Sequence, residues 1–128
     1  MINLSDDVLN VMINNSVLNA ELANCYGGPA VFNLFTPDNT LFPRITFFEM
    51  DNTDDRYADD EPKTARIMFQ VDIWLDKENP NPKKIKDAVY KSMLSIGFFC
   101  DSTGPTLYEQ DTGVIHVPMR FIQYKEVN

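Results

Sequence analysis

The side chains that could do chemistry in this chain are few. His116 is the single histidine, and on an alternating run it shares a side with Arg120. A general base needs a neighbour that orients it and a site where a reacting proton can sit. A lone strand histidine reads instead as a half-exposed polar side chain. The two cysteines, Cys25 and Cys100, are far apart and show no CxxC spacing, so they read as free thiols rather than a disulfide. No Ser or Cys stands in a nucleophile-elbow motif. Neither GxxxxGK[ST] nor GxGxxG occurs. A structural zinc site takes about four Cys or His ligands, and the chain has three such residues in all. The expectation is a protein that is not an enzyme, with no catalytic residue, cofactor or metal.

Carboxylates are abundant, and they cluster. The insert DNTDDRYADDE holds Asp51, Asp54, Asp55, Asp59, Asp60 and Glu61, with Arg56 and Tyr57 among them. An EF-hand loop needs Gly at its sixth position and a bidentate Glu at its twelfth. Counted from Asp51, those positions hold Arg56 and Pro62. Catalytic carboxylates need a pocket that shifts their pKa, which a solvated loop lacks. Hairpin loops usually run two to five residues, and much longer ones tend to be functional or disordered. Two readings of the insert stay open: a mobile solvated hairpin loop, or an interaction loop that orders against neighbouring subunits. Trp74 has two readings as well. It lies on the non-core side of its strand near Asp72 and Asp76, as an interface residue or as core beneath a second covering layer. Arg120 is a second possible interface residue.

The elements that would position these residues follow from periodicity and punctuation. Ser5 can cap an opening helix with Asp6 and Asp7 in its first turn. Asn14 and Asn15 interrupt that helix, and a short second one follows, which Gly27-Gly28-Pro29 should end. Ala30 to Phe35 reads as a short strand, and Pro43 to Met50 as a second with apolar side chains on both faces. Ala65 to Asp76 alternates strictly, a strong strand signal. At about 3.3 Å per residue it would span some 36 Å, enough for one end to project from the domain. Asn81 and Pro82 can open an amphipathic helix stopped by Gly97. Phe98 to Asp101 and Leu107 to Gln110 read as short extended pieces. Val114 to about Lys125 is the last strand, in which Pro118 demands an edge or a bulge. The sum is one α+β domain over residues 1–128: a mixed, mainly antiparallel sheet packed against helices, with a long β-hairpin loop.

Composition narrows the partners. The 128 residues fit one domain, and 11 basic against 19 acidic residues give a net charge of −8. Nucleic-acid binding rests on clustered Lys and Arg. The densest basic stretch is Lys83, Lys84 and Lys86, which reads as a solvated helix face, so no sequence-specific nucleic-acid binding is expected. No apolar run approaches the roughly 20 residues of a membrane span. Residues 1–25 lack the pattern of a signal peptide, which points to a cytosolic protein.

Three segments together carry a family resemblance. The first is FPRITFFEM behind a helical opening. The second is the acidic segment leading into FQVDIWLDKENP and the helix KKIKDAVYKSML. The third is LYEQDTGVIHVPMRFIQYK. In this order, from about Leu4 to Tyr124, the chain resembles the tail-completion, or tail-to-head joining, proteins of long-tailed bacteriophages and prophages. Residues 14–42 carry no part of the likeness. The resemblance implies a virion structural protein made in the host cytoplasm. It implies a ring, commonly a hexamer, that terminates the tail tube and meets the head connector or stopper protein. It also implies that Asp51 to Pro62 faces the lumen or a neighbour. Two alternatives belong beside it: a head-side adaptor or stopper of the same neck, and a small acidic binding module using residues 51–61 for a divalent cation or a basic partner.

Overall fold

The computed structural model describes residues 3–58 and 61–126. Three helices, α1 (Ser5–Ile13), α2 (Ser16–Glu21) and α3 (Lys83–Ser95), pack on one face of a six-stranded sheet. The strands are β3 (Val31–Asn33), β4 (Arg44–Ala58), β5 (Glu61–Leu75), β6 (Phe99–Thr103), β7 (Leu107–Glu109) and β8 (Val114–Glu126). A separate two-stranded hairpin joins β1 (Asn24–Cys25) to β2 (Gly28–Pro29). The sheet order is β3-β4-β5-β8-β6, with β7 also paired to β8. Only β3 and β4 run parallel. This is the α+β, mixed and mainly antiparallel architecture that the periodicity predicts.

Alternation on β5 sets the core. Ile67, Phe69, Val71, Ile73 and Leu75 are fully buried and face Val8 and Met12 of α1, Leu18 of α2, and Ile85, Val89 and Met93 of α3 in one apolar cluster. Phe69 meets Phe98 edge-on, with ring centroids 5.6 Å apart. Full burial of one such side chain contributes about 1.5–3 kcal/mol.

Several local expectations change. Ser5 starts α1 but does not cap it; its N–H instead donates to Asn3 Oδ1 at 3.0 Å. Gly27-Gly28-Pro29 does not end α2, which stops at Glu21 when Leu22 turns extended. Tyr26 and Gly27, at φ 51° and 83°, form the two-residue turn of the β1–β2 hairpin, where both central residues need positive φ. Pro118 sits in no bulge, since β8 keeps unbroken register with β5 through it, but it is a local edge as expected: on the other side the β6 ladder stops at Met119 and the β7 ladder at His116. Its carbonyl accepts from Gly104 N–H at 2.9 Å. Its missing N–H faces the same side, in the gap between β6 and β7, where no ladder bond is needed. Asn81 Oδ1 accepts from Lys83 N–H at 3.0 Å, but α3 starts at Lys83, so the N-cap is Pro82, which makes no side-chain cap bond; Gly97 at φ +94° follows its end.

The largest correction concerns the acidic insert. It is not a loop between two strands, because the strands continue through it. The β4–β5 register runs from Arg44↔Trp74 to Ala58↔Glu61 with irregularities near Met50, Asp55 and Arg56. Polar residues do not stop a strand whose backbone finds a partner; propensity yields to pairing. At about 3.3 Å per residue, the 15 residues of β5 reach roughly 46–50 Å. β8 accompanies β5 only as far as Thr64↔Glu126. Beyond that point, among the described residues, the hairpin is a two-stranded ribbon.

Candidate functional site: the outer sheet face and its ribbon

The sheet face turned away from the helices carries the polar side chains of β4, β5 and β8 in cross-strand rows. Register places Arg44 beside Trp74 and Trp74 beside His116. Thr46, Asp72 and Pro118 form the next row, and Phe48, Gln70 and Arg120 the one after. Trp74 and Arg120, the two residues singled out as possible interface positions, therefore share one face.

Trp74 is half-buried. Its indole N–H donates to Thr46 Oγ1 at 2.9 Å. Its ring stacks on His116, with centroids 4.0 Å apart and planes 4° from parallel. The Arg44 guanidinium adds to this stack, 4.6 Å from the Phe42 ring centroid and 5.4 Å from that of Trp74. Arg44 Nη1 donates to the carbonyls of Asn39 and Leu41, both at 3.0 Å, while its buried Nε has no partner. Burial lowers the pKa of this guanidinium, and the nearby Asp38 carboxylate opposes that effect. Arginine stays charged regardless.

Asp72, only 5% exposed, anchors the second row. Its Oδ1 lies 2.8 Å from Gln70 Nε2 and 2.7 Å from His116 Nε2. An ionised carboxylate only accepts, so both nitrogens donate to it. Gln70 Oε1 in turn accepts from Arg120 Nε at 3.2 Å, which leaves Arg120 exposed but tied to the network. Sequence reasoning missed Asp72 as a member. An Asp on the outward side of an alternating strand looks solvated, and the β5–β8 register decides that it meets His116. Two cross-strand residues pair only once that register is known.

Asp72 and His116 have the chemistry of a carboxylate–imidazole pair, yet among the described residues no hydroxyl or thiol is hydrogen-bonded to His116. Thr46 Oγ1 serves Trp74 instead. Among the described residues, no group of three His, Cys, Asp or Glu side chains is placed to hold a metal ion. Cys25 and Cys100 are both free thiols. The network ties the polar side chains of the face to one another, with Arg44 Nε left over.

The ribbon residues divide as follows. Asp51 lies at the base and pairs with Arg66 Nη1 at 2.6 Å, a part-exposed contact of the kind worth about 0–1 kcal/mol. Asp54 is exposed. The backbones of Asp55, Arg56, Tyr57 and Glu61 lie in the two paired strands. Asp59 and Asp60 lie outside the described residues. Elsewhere, large apolar side chains face solvent: Tyr26 and Phe35 are 98% and 80% exposed, and Phe99, Leu107 and Tyr108 are exposed on β6 and β7. No described helix is long and apolar enough to cross a membrane.

No protein-family model matches the chain, and no curated protein sequence matches it. Among solved structures, a protein that bears only a serial designation matches 98% of this chain and 98% of its own, with a TM-score of 0.53 and 13% identity. At that identity the likeness is one of fold.

Proposed function

We propose that the chain is a structural subunit of a phage or prophage tail. It forms a ring at the tail terminus that completes the tail and joins it to the head connector. The observation that carries this reading is the β4–β5 ribbon. Among the described residues its distal part pairs with no third strand, and isolated two-stranded hairpins are marginally stable in water. An arm of that kind gains most of its order from another chain. Exposed Tyr26, Phe35, Phe99 and Tyr108 supply apolar area of the kind that protein contacts bury. The ordered sequence resemblance supplies the setting.

A ring of this sort uses a heterologous interface, in which unlike surfaces meet and rotation closes the circle. Carboxylates on the ribbon suit a lumen through which DNA passes. The duplex carries one negative charge per about 1.7 Å, and an acidic wall does not hold it. The test is electron microscopy of particles made without this chain. The reading predicts tails of uncontrolled length that fail to join heads. Tails of normal length joined to heads would overturn it.

A further inference from the structure

We propose that the cleft beside Trp74 is a binding site for a monoanionic carboxylate carried on a flat apolar or aromatic body. The cleft encloses about 450 Å³ between the segment before β4 and the β7–β8 turn, and its lining includes Asn39, Phe42, Arg44, Trp74, Glu109 and Val114. Arg44 sets its chemistry. This arginine is only 8% exposed, and among the described residues it forms no ion pair with a carboxylate. The site stands apart from the ring reading above.

An ionised side chain taken out of water is costly unless a countercharge and hydrogen bonds replace the water. Arg44 has part of that compensation. Its Nη1 donates to the carbonyls of Asn39 and Leu41, and the Phe42 and Trp74 rings lie against its guanidinium. Carbonyls and rings carry no net charge. Nε is buried without a partner, and Nη2 has no hydrogen bond among the described residues. The guanidinium is planar, so Nε–H and the adjacent Nη2–H form a fork, an edge that holds a carboxylate through two parallel hydrogen bonds. Neither neighbouring carboxyl group takes that fork. Asp38 accepts from Thr40, from its N–H at 2.9 Å and its hydroxyl at 2.6 Å. Glu109 lines the cleft and has no ion pair among the described residues.

The arginine is held in place before any ligand arrives. Two carbonyls grip one end of it, and Trp74 flanks it. Trp74 is itself fixed by Thr46 Oγ1 at 2.9 Å and by its stack on His116, which Asp72 holds at 2.7 Å. The polar rows of the outer face thus support one charged group, and such preorganisation lowers the cost of binding. Charge selects the ligand class. One guanidinium shares the cleft with Glu109 and lies near Asp38, in a chain of net charge −8, so a dianionic phosphate meets more repulsion than a carboxylate. The Phe42, Trp74 and Val114 walls favour a flat apolar body, since aromatic faces gain from offset stacking. A free organic acid and a side chain of a neighbouring protein chain both present this group.

The test is an NMR titration of the full chain that follows the Arg44 Nε–H and the indole N–H of Trp74, the single tryptophan. Benzoate should shift both signals saturably, with a Kd on the order of 1 mM. Benzamide has the same shape without the charge and should bind at least about tenfold more weakly. Arg44→Lys keeps the charge but loses the fork, and should weaken benzoate about fivefold or more. Glu109 is exposed, so Glu109→Gln keeps the fold, and it should tighten benzoate about twofold at low salt. Where Arg44→Lys fails to fold, the benzamide and Glu109→Gln comparisons decide. N-acetylglutamate amide separates the two sources: tighter binding than benzoate assigns the cleft to a side chain of a neighbouring chain, and weaker binding assigns it to a free aromatic acid. Absence of a saturable shift with either carboxylate overturns the proposal. So does equal affinity for benzoate and benzamide, undiminished binding in a folded Arg44→Lys, or weaker binding in Glu109→Gln.

Discussion

Excising the ribbon separates its role in folding from its role in assembly. The cut removes residues 55–64 and joins Asp54 to Ala65 through Asn-Gly, the sequence favoured in two-residue hairpin turns. Asp54 and Ala65 already face each other, so the new turn closes an existing pair. The pairs lost are Arg56↔Thr64, Tyr57↔Pro62 and Ala58↔Glu61, together with the single β8 pair Thr64↔Glu126. The buried cluster, which on β5 begins at Ala65, is untouched. A two-stranded extension is close to neutral in stability, so the unfolding free energy should change by less than about 1 kcal/mol. For a domain of this size that is a midpoint shift within about 4 °C. Calorimetry measures the shift, and electron microscopy of tails assembled with the variant measures function. The expected pair of results is a near-native melt and failed tail completion. A loss of several kcal/mol would refute the separation of ribbon from core, and normal infectious particles would refute its part in assembly.

Other perturbations probe the rest of the account. Phe69→Ala removes a fully buried ring that meets Phe47 and Phe98, and denaturant unfolding should show a loss of about 3–5 kcal/mol. Asp72→Ala leaves the His116 and Gln70 N–H donors without their acceptor and should cost about 1–3 kcal/mol, with Asp72→Asn recovering part; equal losses for both would count against the network. Gly97→Ala forces a Cβ onto a residue at φ +94° against the Gln123 amide and should destabilise by about 1–2 kcal/mol. The hydroxyl and N–H of Thr40 hold the Asp38 carboxyl below its ordinary pKa. A depressed folded pKa stabilises above the unfolded value, and that contribution disappears as pH falls through the folded one. NMR titration of Thr40→Ala should therefore show the Asp38 pKa rising toward its ordinary value; an unchanged value would contradict the assignment.

Periodicity made the core legible. Strict alternation from Ala65 to Asp76 and the apolar stripe of the Ile85–Met93 helix are one-dimensional patterns of one-dimensional elements, and both survive in the fold. The outer face was half legible. Trp74 and Arg120 could be placed on it, but Asp72 and Arg44 could not, because their partners lie across strands whose register no single segment encodes. The ribbon was misread for a related reason. DNTDDRYADDE has the composition of a loop, yet its backbone pairs because the opposite strand continues beside it. The Gly27-Gly28 turn shows the same limit on a smaller scale, since a glycine pair serves a helix end and a hairpin equally well.

Native mass spectrometry of the chain across a concentration series, alone and with the tail tube protein, tests the claim of ring assembly most directly. The account predicts a discrete closed species at a fixed multiple of the subunit mass, commonly six, formed alone or on the tube protein. A monomer under every condition, with or without the tube protein, would contradict it.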